Sequence, residues 1–260
     1  MLIYFLFQTA LITSIIVLSL WIISIIIKDV SIIDTAFAPI IFIITFLSIY
    51  LSPAASIFKY IIFVIIFIWT VRLTLLMLQR KLGHGEDSRY TKLREWKKPG
   101  LSFNIFALWQ VFIKQGIVIW LVTLPIQFLL FTSTTSSLNI FNIIGLIIIS
   151  VGFFWECVAD IQLNKFKRNK VNQKTFLQSG LWSLSRHPNY FGEIMFWWGI
   201  YIFSIVNSLT LISIIGPILF SYLIINVTGV KTMDKRMSQN YNGYSEYIKS
   251  SNSIIPRIFS

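Results

Sequence analysis

LIYFLFQTALITSIIVLSLWIISIII, residues 2–27, carries no charged side chain and decides the class of the fold. A helix crosses the hydrocarbon core of a bilayer in about 20 apolar residues, and this run is long enough. It lacks the basic leading region and small-residue cleavage site of a secretory signal and is too long for one, so it reads as a retained span. The rest of the 260-residue chain repeats the pattern. Hydrophobic residues make up 56% and charged residues 12%, the latter about half the share of a soluble domain. Mean hydropathy is +0.75. Further apolar runs lie at about residues 36–52, 58–79, 105–131, 138–158, 190–206 and 208–228. We therefore expect an all-α polytopic membrane protein of about seven transmembrane helices, forming one membrane-embedded domain over residues 1–260.

Lysine and arginine fix the expected orientation, because they accumulate in cytosolic loops. They crowd the segments Arg80 to Asn104, Ala159 to Pro188 and Gly229 to Ser260, while Lys59 stands nearly alone on the opposite side. An odd number of spans then puts the N-terminus outside and the C-terminus in the cytosol. The net charge of +12 is accounted for by this rule, so nucleic acid is not an expected partner, and no obligate protein partner is evident. Acids have no such reason to choose a side. Yet all ten, from Asp29 and Asp34 to Asp234 and Glu246, fall on or near the cytosolic face. Polar chemistry is expected at that mouth, with a charged cytosolic cofactor. One cysteine, Cys157, rules out an intramolecular disulfide and a thiolate cluster, and two histidines make a metal site unexpected.

Two motifs concentrate polar groups. Ser185-Arg186-His187-Pro188-Asn189-Tyr190-Phe191-Gly192-Glu193 stands where a cytosolic loop enters an apolar segment. Pro188 suits a first helical turn, but a helix start does not account for Arg186, His187 and Glu193 together. Gly83-His84-Gly85-Glu86-Asp87-Ser88-Arg89-Tyr90 follows the third span and offers acid, base and donor groups side by side; a solvated, self-paired loop is the plainer reading. Arg72, about two turns inside the third span, calls for a carboxylate such as Asp34, Glu156 or Asp160. Glu156 and Asp160, four residues apart, share a helix face, either to pair with Arg72 or to receive a ligand. Asp160 followed by Lys165, Lys167 and Arg168 suits a ribose hydroxyl and phosphates. Lys114, Gln115, Pro125 and Gln127 line a cavity or pair internally. Tyr244, Glu246 and Tyr247 either close the tail over the cytosolic mouth or rest on lipid.

Residues 180–193, Gly180-Leu181-Trp182-Ser183-Leu184-Ser185-Arg186-His187-Pro188-Asn189-Tyr190-Phe191-Gly192-Glu193, resemble the C-terminal domain of steroid 5-alpha-reductase-like membrane reductases, and most closely a bacterial branch catalogued as a domain of unknown function. Asp34, Arg72, the Gly85-to-Tyr90 loop, Gln115, Pro125, Asp160, the tail tyrosines and Pro256 extend the resemblance over nearly the whole chain. Ser183 and Phe37 depart from the arginine and tryptophan usual in that branch. The Arg-His-Pro-Asn-Tyr core is shared more loosely with isoprenylcysteine carboxyl methyltransferases.

The resemblance implies seven helices enclosing NADPH, with a lipid-open cavity and a cofactor region at about residues 105–260. It implies that Asn189 and Glu193 contact the nicotinamide end, Asp160 and Lys167 the adenosine and phosphate end, and Arg186 phosphate, within the His187–Tyr190 motif, with Tyr247 closing the tail. Glu86 and Tyr90 are the nearest candidates for the group that polarises the substrate, chosen by chemistry. The expected activity is hydride transfer from NADPH to a conjugated carbon–carbon double bond of a lipophilic, steroid-like or enone substrate. S-adenosylmethionine-dependent methylation of a lipid-linked acceptor is the alternative. A channel would carry polar residues through the whole bilayer, and here they cluster at one face. The expected location is a bacterial inner membrane, or the endoplasmic reticulum in a eukaryote.

Overall fold

The computed structural model describes residues 1–52, 56–82, 85–97, 100–133, 137–169 and 175–257, and among these there is no strand. Helices follow in the order α1 (Leu2–Ile27), α2 (Ile32–Leu51), α3 (Ile57–Lys81), α4 (Ser88–Trp96), α5 (Leu101–Val122), α6 (Leu124–Thr132), α7 (Ile140–Arg168), α8 (Pro188–Phe203), α9 (Ser208–Asn240) and α10 (Tyr244–Ser250). Six of them, α1, α2, α3, α5, α7 and α9, are long and apolar enough to cross a membrane. The chain divides into two compact units, residues 1–137 with 207–213 and residues 138–206 with 214–260.

Three elements differ from the sequence expectation. The run read as a sixth span forms α8, whose 16 residues rise about 24 Å, short of a hydrocarbon core of about 30 Å. The fourth run is interrupted at Thr123, between α5 and α6. Pro125 has no N–H to give Leu121, so the helical ladder breaks there, and Thr123 and Gln127 bridge the gap with a backbone bond of 3.1 Å. The last run bends at Gly229 (φ −99°, ψ −101°), where the sequence places its end, and a further helical stretch, Val230–Asn240, follows through residues read as a polar tail.

In the first unit α2 is the hub, packing on α1, α3, α5 and α6. The inward face of α3 is Phe58, Ile62, Ile66, Trp69 and Leu73, a spacing of three and four that keeps one stripe inside. Its other faces expose Val64, Phe67, Ile68 and Val71, which water would not tolerate and lipid does. α1 shows the same inversion. Beside Phe5 and Val17 it buries Thr9, Thr13 and Ser24, and it exposes Ile3, Phe7, Leu11 and Ile15. Small and polar residues at the interface are how helices associate where lipid is as apolar as leucine. Thr9 donates to Gln127 at 2.7 Å and accepts from Trp120 Nε1 at 3.1 Å, while Gln127 donates to Thr123 at 2.8 Å.

The second unit is built on an antiparallel hairpin of α7 and α8. Gly145 and Gly152 on α7 meet Gly192 and Gly199 on α8, all at seven-residue spacing. A Cβ built on Gly152 falls 2.7 Å from Gly192 O, and one on Gly192 falls 2.6 Å from the Glu156 backbone nitrogen. The two backbones therefore approach as closely as only glycine allows. Asn139 and Asn142 cap α7 reciprocally and also donate across to α8's end, to Ile205 O at 2.8 Å and Phe203 O at 2.6 Å.

Candidate functional site

The hairpin register sets Asp160 opposite Asn189 and Glu156 opposite Gly192. Asp160 and Glu156 are buried, 5% and 3% exposed, and Asn189 Nδ2 approaches Asp160 Oδ1 at 3.5 Å. His187 is the N-cap of α8 and Pro188 its first residue. Tyr190 stacks on the His187 ring at 5.4 Å, and Glu193 is half-buried one turn on. Lys165, Lys167 and Arg168 occupy the last turn of α7, where cations also complement the helix dipole; the Lys167 side chain is exposed.

Arg186 and His187 turn toward the tail, and Tyr247 reaches back from the tail to the loop before α8. Arg186 places Nε and Nη2 on Asp234 at 3.3 and 3.0 Å, and its Nη1 on the carbonyls of Ile248 and Ser251. His187 Nε2 meets the same carboxylate at 2.8 Å, and the Tyr244 hydroxyl donates to it at 2.9 Å. The main chain joins in. Arg186 and His187 N–H groups donate to Asn252 and Ser253 carbonyls, and Arg257 N–H to Leu184 O. Tyr247 donates to Trp182 O at 2.8 Å, and Trp182 Nε1 to Ala159 O at 3.0 Å. Burial and the neighbouring Asp234 push the Tyr244 phenol well above its usual range, and burial raises Tyr247 as well. Asp234 is the centre of this knot, and sequence reasoning gave it no role. Its one signal was an acid standing alone among Lys231, Lys235 and Arg236.

The first unit holds a separate constellation. Tyr90, 5% exposed, donates to Asp34 Oδ1 at 2.9 Å, and Gln115 Nε2 donates to the same oxygen at 3.1 Å. Arg89 closes on Asp34 Oδ2 at 2.6 Å, while Asp87 caps α4 by accepting from Arg89 N–H at 2.9 Å. Glu86 is engaged otherwise: Arg94 holds it through two donors at 2.6 and 3.1 Å, and Val30 N–H donates to it at 2.7 Å. Glu86 thus anchors the loop to α4 and to the α1–α2 turn, and Tyr90 is the group of this pair set among ligand-like donors and acceptors. Gly83, His84 and the Ser88 side chain lie outside the described residues.

Burial first, and then the Asp34 carboxylate, push the Tyr90 phenol far above its usual value. Tyr90 is therefore a neutral hydrogen-bond donor rather than a group that releases its proton near pH 7. Because the folded value lies above the unfolded one of about 10, the stabilisation is fully present below about pH 10 and is lost as pH rises through the folded value. Phenolate absorbance tests this: wild type and Tyr90→Phe are expected to give superimposable titrations around pH 10. A deficit of one tyrosine in the variant over that range would contradict the assignment.

Among the described residues, fold and sites together define an all-helical protein with six membrane-length apolar helices, consistent with an integral membrane protein, and with buried polar knots in each of its two units. Residues 20–252 match DUF1295, described as a protein of unknown function, and the chain belongs to that family. A stretch of 46 residues is 48% identical to part of a protein of Ustilaginoidea virens named "Probable O-methyltransferase ustE", covering 18% of this chain and 16% of that protein. The chain thus spans about a sixth of the length of this curated relative. No solved structure matches.

Proposed function

We propose that the protein is a membrane reductase that uses NADPH to saturate a conjugated carbon–carbon double bond in a lipophilic substrate, in the manner of the steroid 5-alpha-reductase-like enzymes that its motifs resemble. One observation carries the reading. On a single helical hairpin, the buried Asp160 with its neighbour Asn189 precedes the basic turn Lys165, Lys167 and Arg168 by one to two turns. Buried carboxylates accept from ribose hydroxyls, and adjacent cations bind phosphate, so the donor set fits a dinucleotide. NADPH, when bound, supplies a hydride. Asp160 would hold ribose, Lys167 phosphate, and Asn189 with Glu193 the carboxamide that fixes which face is offered. Arg186, His187, Tyr190 and Tyr247 serve by keeping the tail folded against this motif. Tyr90, a neutral donor, keeps the role of polarising a carbonyl oxygen, and Glu86, committed to Arg94, serves as its loop anchor.

A second reading is methyl transfer from S-adenosylmethionine. It is favoured by the 46-residue likeness to a probable O-methyltransferase and by the buried Glu156 and Asp160, which suit a sulfonium cation.

The deciding experiment compares thermal stabilisation of the detergent-purified protein by NADPH, NADH and S-adenosylmethionine. A ligand that binds only the folded state adds about 2.7 kcal/mol at 100 times its Kd. A rise with NADPH that is absent in Asn189→Ala and Glu193→Ala, each folded without ligand, supports the reductase. A rise with S-adenosylmethionine alone replaces that reading with methyl transfer.

A further inference from the structure

A cleft of about 260 Å³ in the first unit has no part in the chemistry above. That is smaller than the roughly 300–1,000 Å³ of ordinary small-molecule pockets. Its apolar wall is Trp21, Ile25, Phe103 and Ala107, its charged side chains are Lys28 and Arg94, and no carboxylate lines it.

Three features make it an anion site. First, Lys28 is the C-cap of α1 with φ 56°, ψ 36°, and it is the one non-glycine residue of positive φ among the described residues. Glycine normally fills that position, since a Cβ there is strained. A lysine in its place projects an ammonium, which has no carboxylate partner among the described residues. Second, Arg94 is held in a fixed pose, with Nε and Nη2 on Glu86 and its guanidinium carbon 4.4 Å from the centre of the Phe103 ring. Its Nη1 has no acceptor among the described residues. Third, the cleft takes in the first turn of α5, where the N-cap is Gly100 and no side chain caps the helix. Unsatisfied N–H groups at a helix start favour an anion.

The apolar surroundings say what kind of anion. Ile22, Ile26 and Ile105, each one position on from a lining residue (Trp21, Ile25 and Asn104), are exposed, and α1 is a membrane-length helix. A soluble anion would gain nothing from them, whereas acyl chains would gain by covering them. We propose that this cleft binds the phosphate of an anionic phospholipid, with Lys28 and Arg94 on the headgroup and the chains along α1 and α5. The proposal is independent of the reductase reading.

The test titrates phosphatidylglycerol, phosphatidylcholine and inorganic phosphate separately into the protein in neutral detergent and follows the melting temperature. A saturable rise with phosphatidylglycerol only is expected. Lys28→Gln should weaken half-saturation about fivefold, the effect of one cation at a membrane surface. Lys92→Gln, which removes the same charge from an exposed position on α4 outside the cleft, should not. Lys28→Gly relieves the backbone, so it should melt higher than wild type without lipid yet show the same weakened phosphatidylglycerol half-saturation as Lys28→Gln. An undiminished response in both Lys28 variants overturns the site. An equal response to phosphatidylcholine overturns the anion preference, and an equal response to inorganic phosphate overturns the lipid.

Discussion

Gly192→Val is expected to prevent the second unit from assuming its fold, with a loss of about 3 kcal/mol or more. The mildest possible addition, a Cβ, already falls 2.6 Å from Glu156 N and 2.7 Å from Gly152 O. Both obstacles are backbone atoms of α7, so no rotamer change relieves the clash and the helices must part. Parting them separates Asp160 from Asn189 and uncovers the buried Glu156. Two readouts check this: the melting temperature in detergent, and the rate at which a thiol reagent labels Cys157, half-buried on α7 next to Glu156. Both should change sharply. Gly85→Ala supplies the contrast, since nothing lies within 4 Å of its added Cβ, and it should stay within about 0.5 kcal/mol of wild type. A Gly192→Val protein that melts and labels like wild type would show that the hairpin does not rest on this contact.

Asp234→Ala should have the second large effect. The Arg186 side chain is 7% exposed and Asp234 14%, and removing one partner of a buried pair strands the other charge at a cost of about 3–5 kcal/mol. His187 and Tyr244 lose their acceptor in the same step. The tail should detach before the hairpin melts, so trypsin should cut at Lys249, on α10, far faster than in wild type. Asp234→Asn keeps an acceptor oxygen without the charge and should fall between. If the tail of Asp234→Ala resists trypsin as wild type does, the main-chain bonds at Leu184, Arg186 and His187, with those of Tyr247 and Arg186 Nη1, hold it without Asp234.

What could be read from the sequence follows from which physical signals are local. Apolar length is local, and α1 ends where the uncharged run ends, at Ile27. A helix that resumes beyond the apolar phase, as α9 does after the bend at Gly229, is not marked by hydropathy. Lys231, Asp234 and Lys235 lower the hydropathy of α9 but not its helicity, so its last turns were read as tail. The break at Thr123 was signalled by Pro125, but a proline can also bend a helix that continues. The polar residues of the two motifs were visible because charge is costly in an apolar chain. Their partners were not, since Tyr90 meets Asp34 from 56 positions away and His187 meets Asp234 from 47. Nothing in a single sequence encodes such pairings, so Arg186 could be singled out while its acceptor was passed over.

The glycine repeat on α7 and α8 also carries an ambiguity. Two tracks notched at the same interval fit together in more than one alignment. Sliding one helix by a single repeat, about 10.5 Å at 1.5 Å per residue, would still engage one of the two notches while drawing Asn189 away from Asp160. The asparagines at the far end, Asn139 and Asn142, remove that freedom, because the carbonyls of Ile205 and Phe203 lie within their reach in one alignment only. They work as the index pin of a sliding scale, and they keep the polar end of the hairpin in register from some twenty residues away.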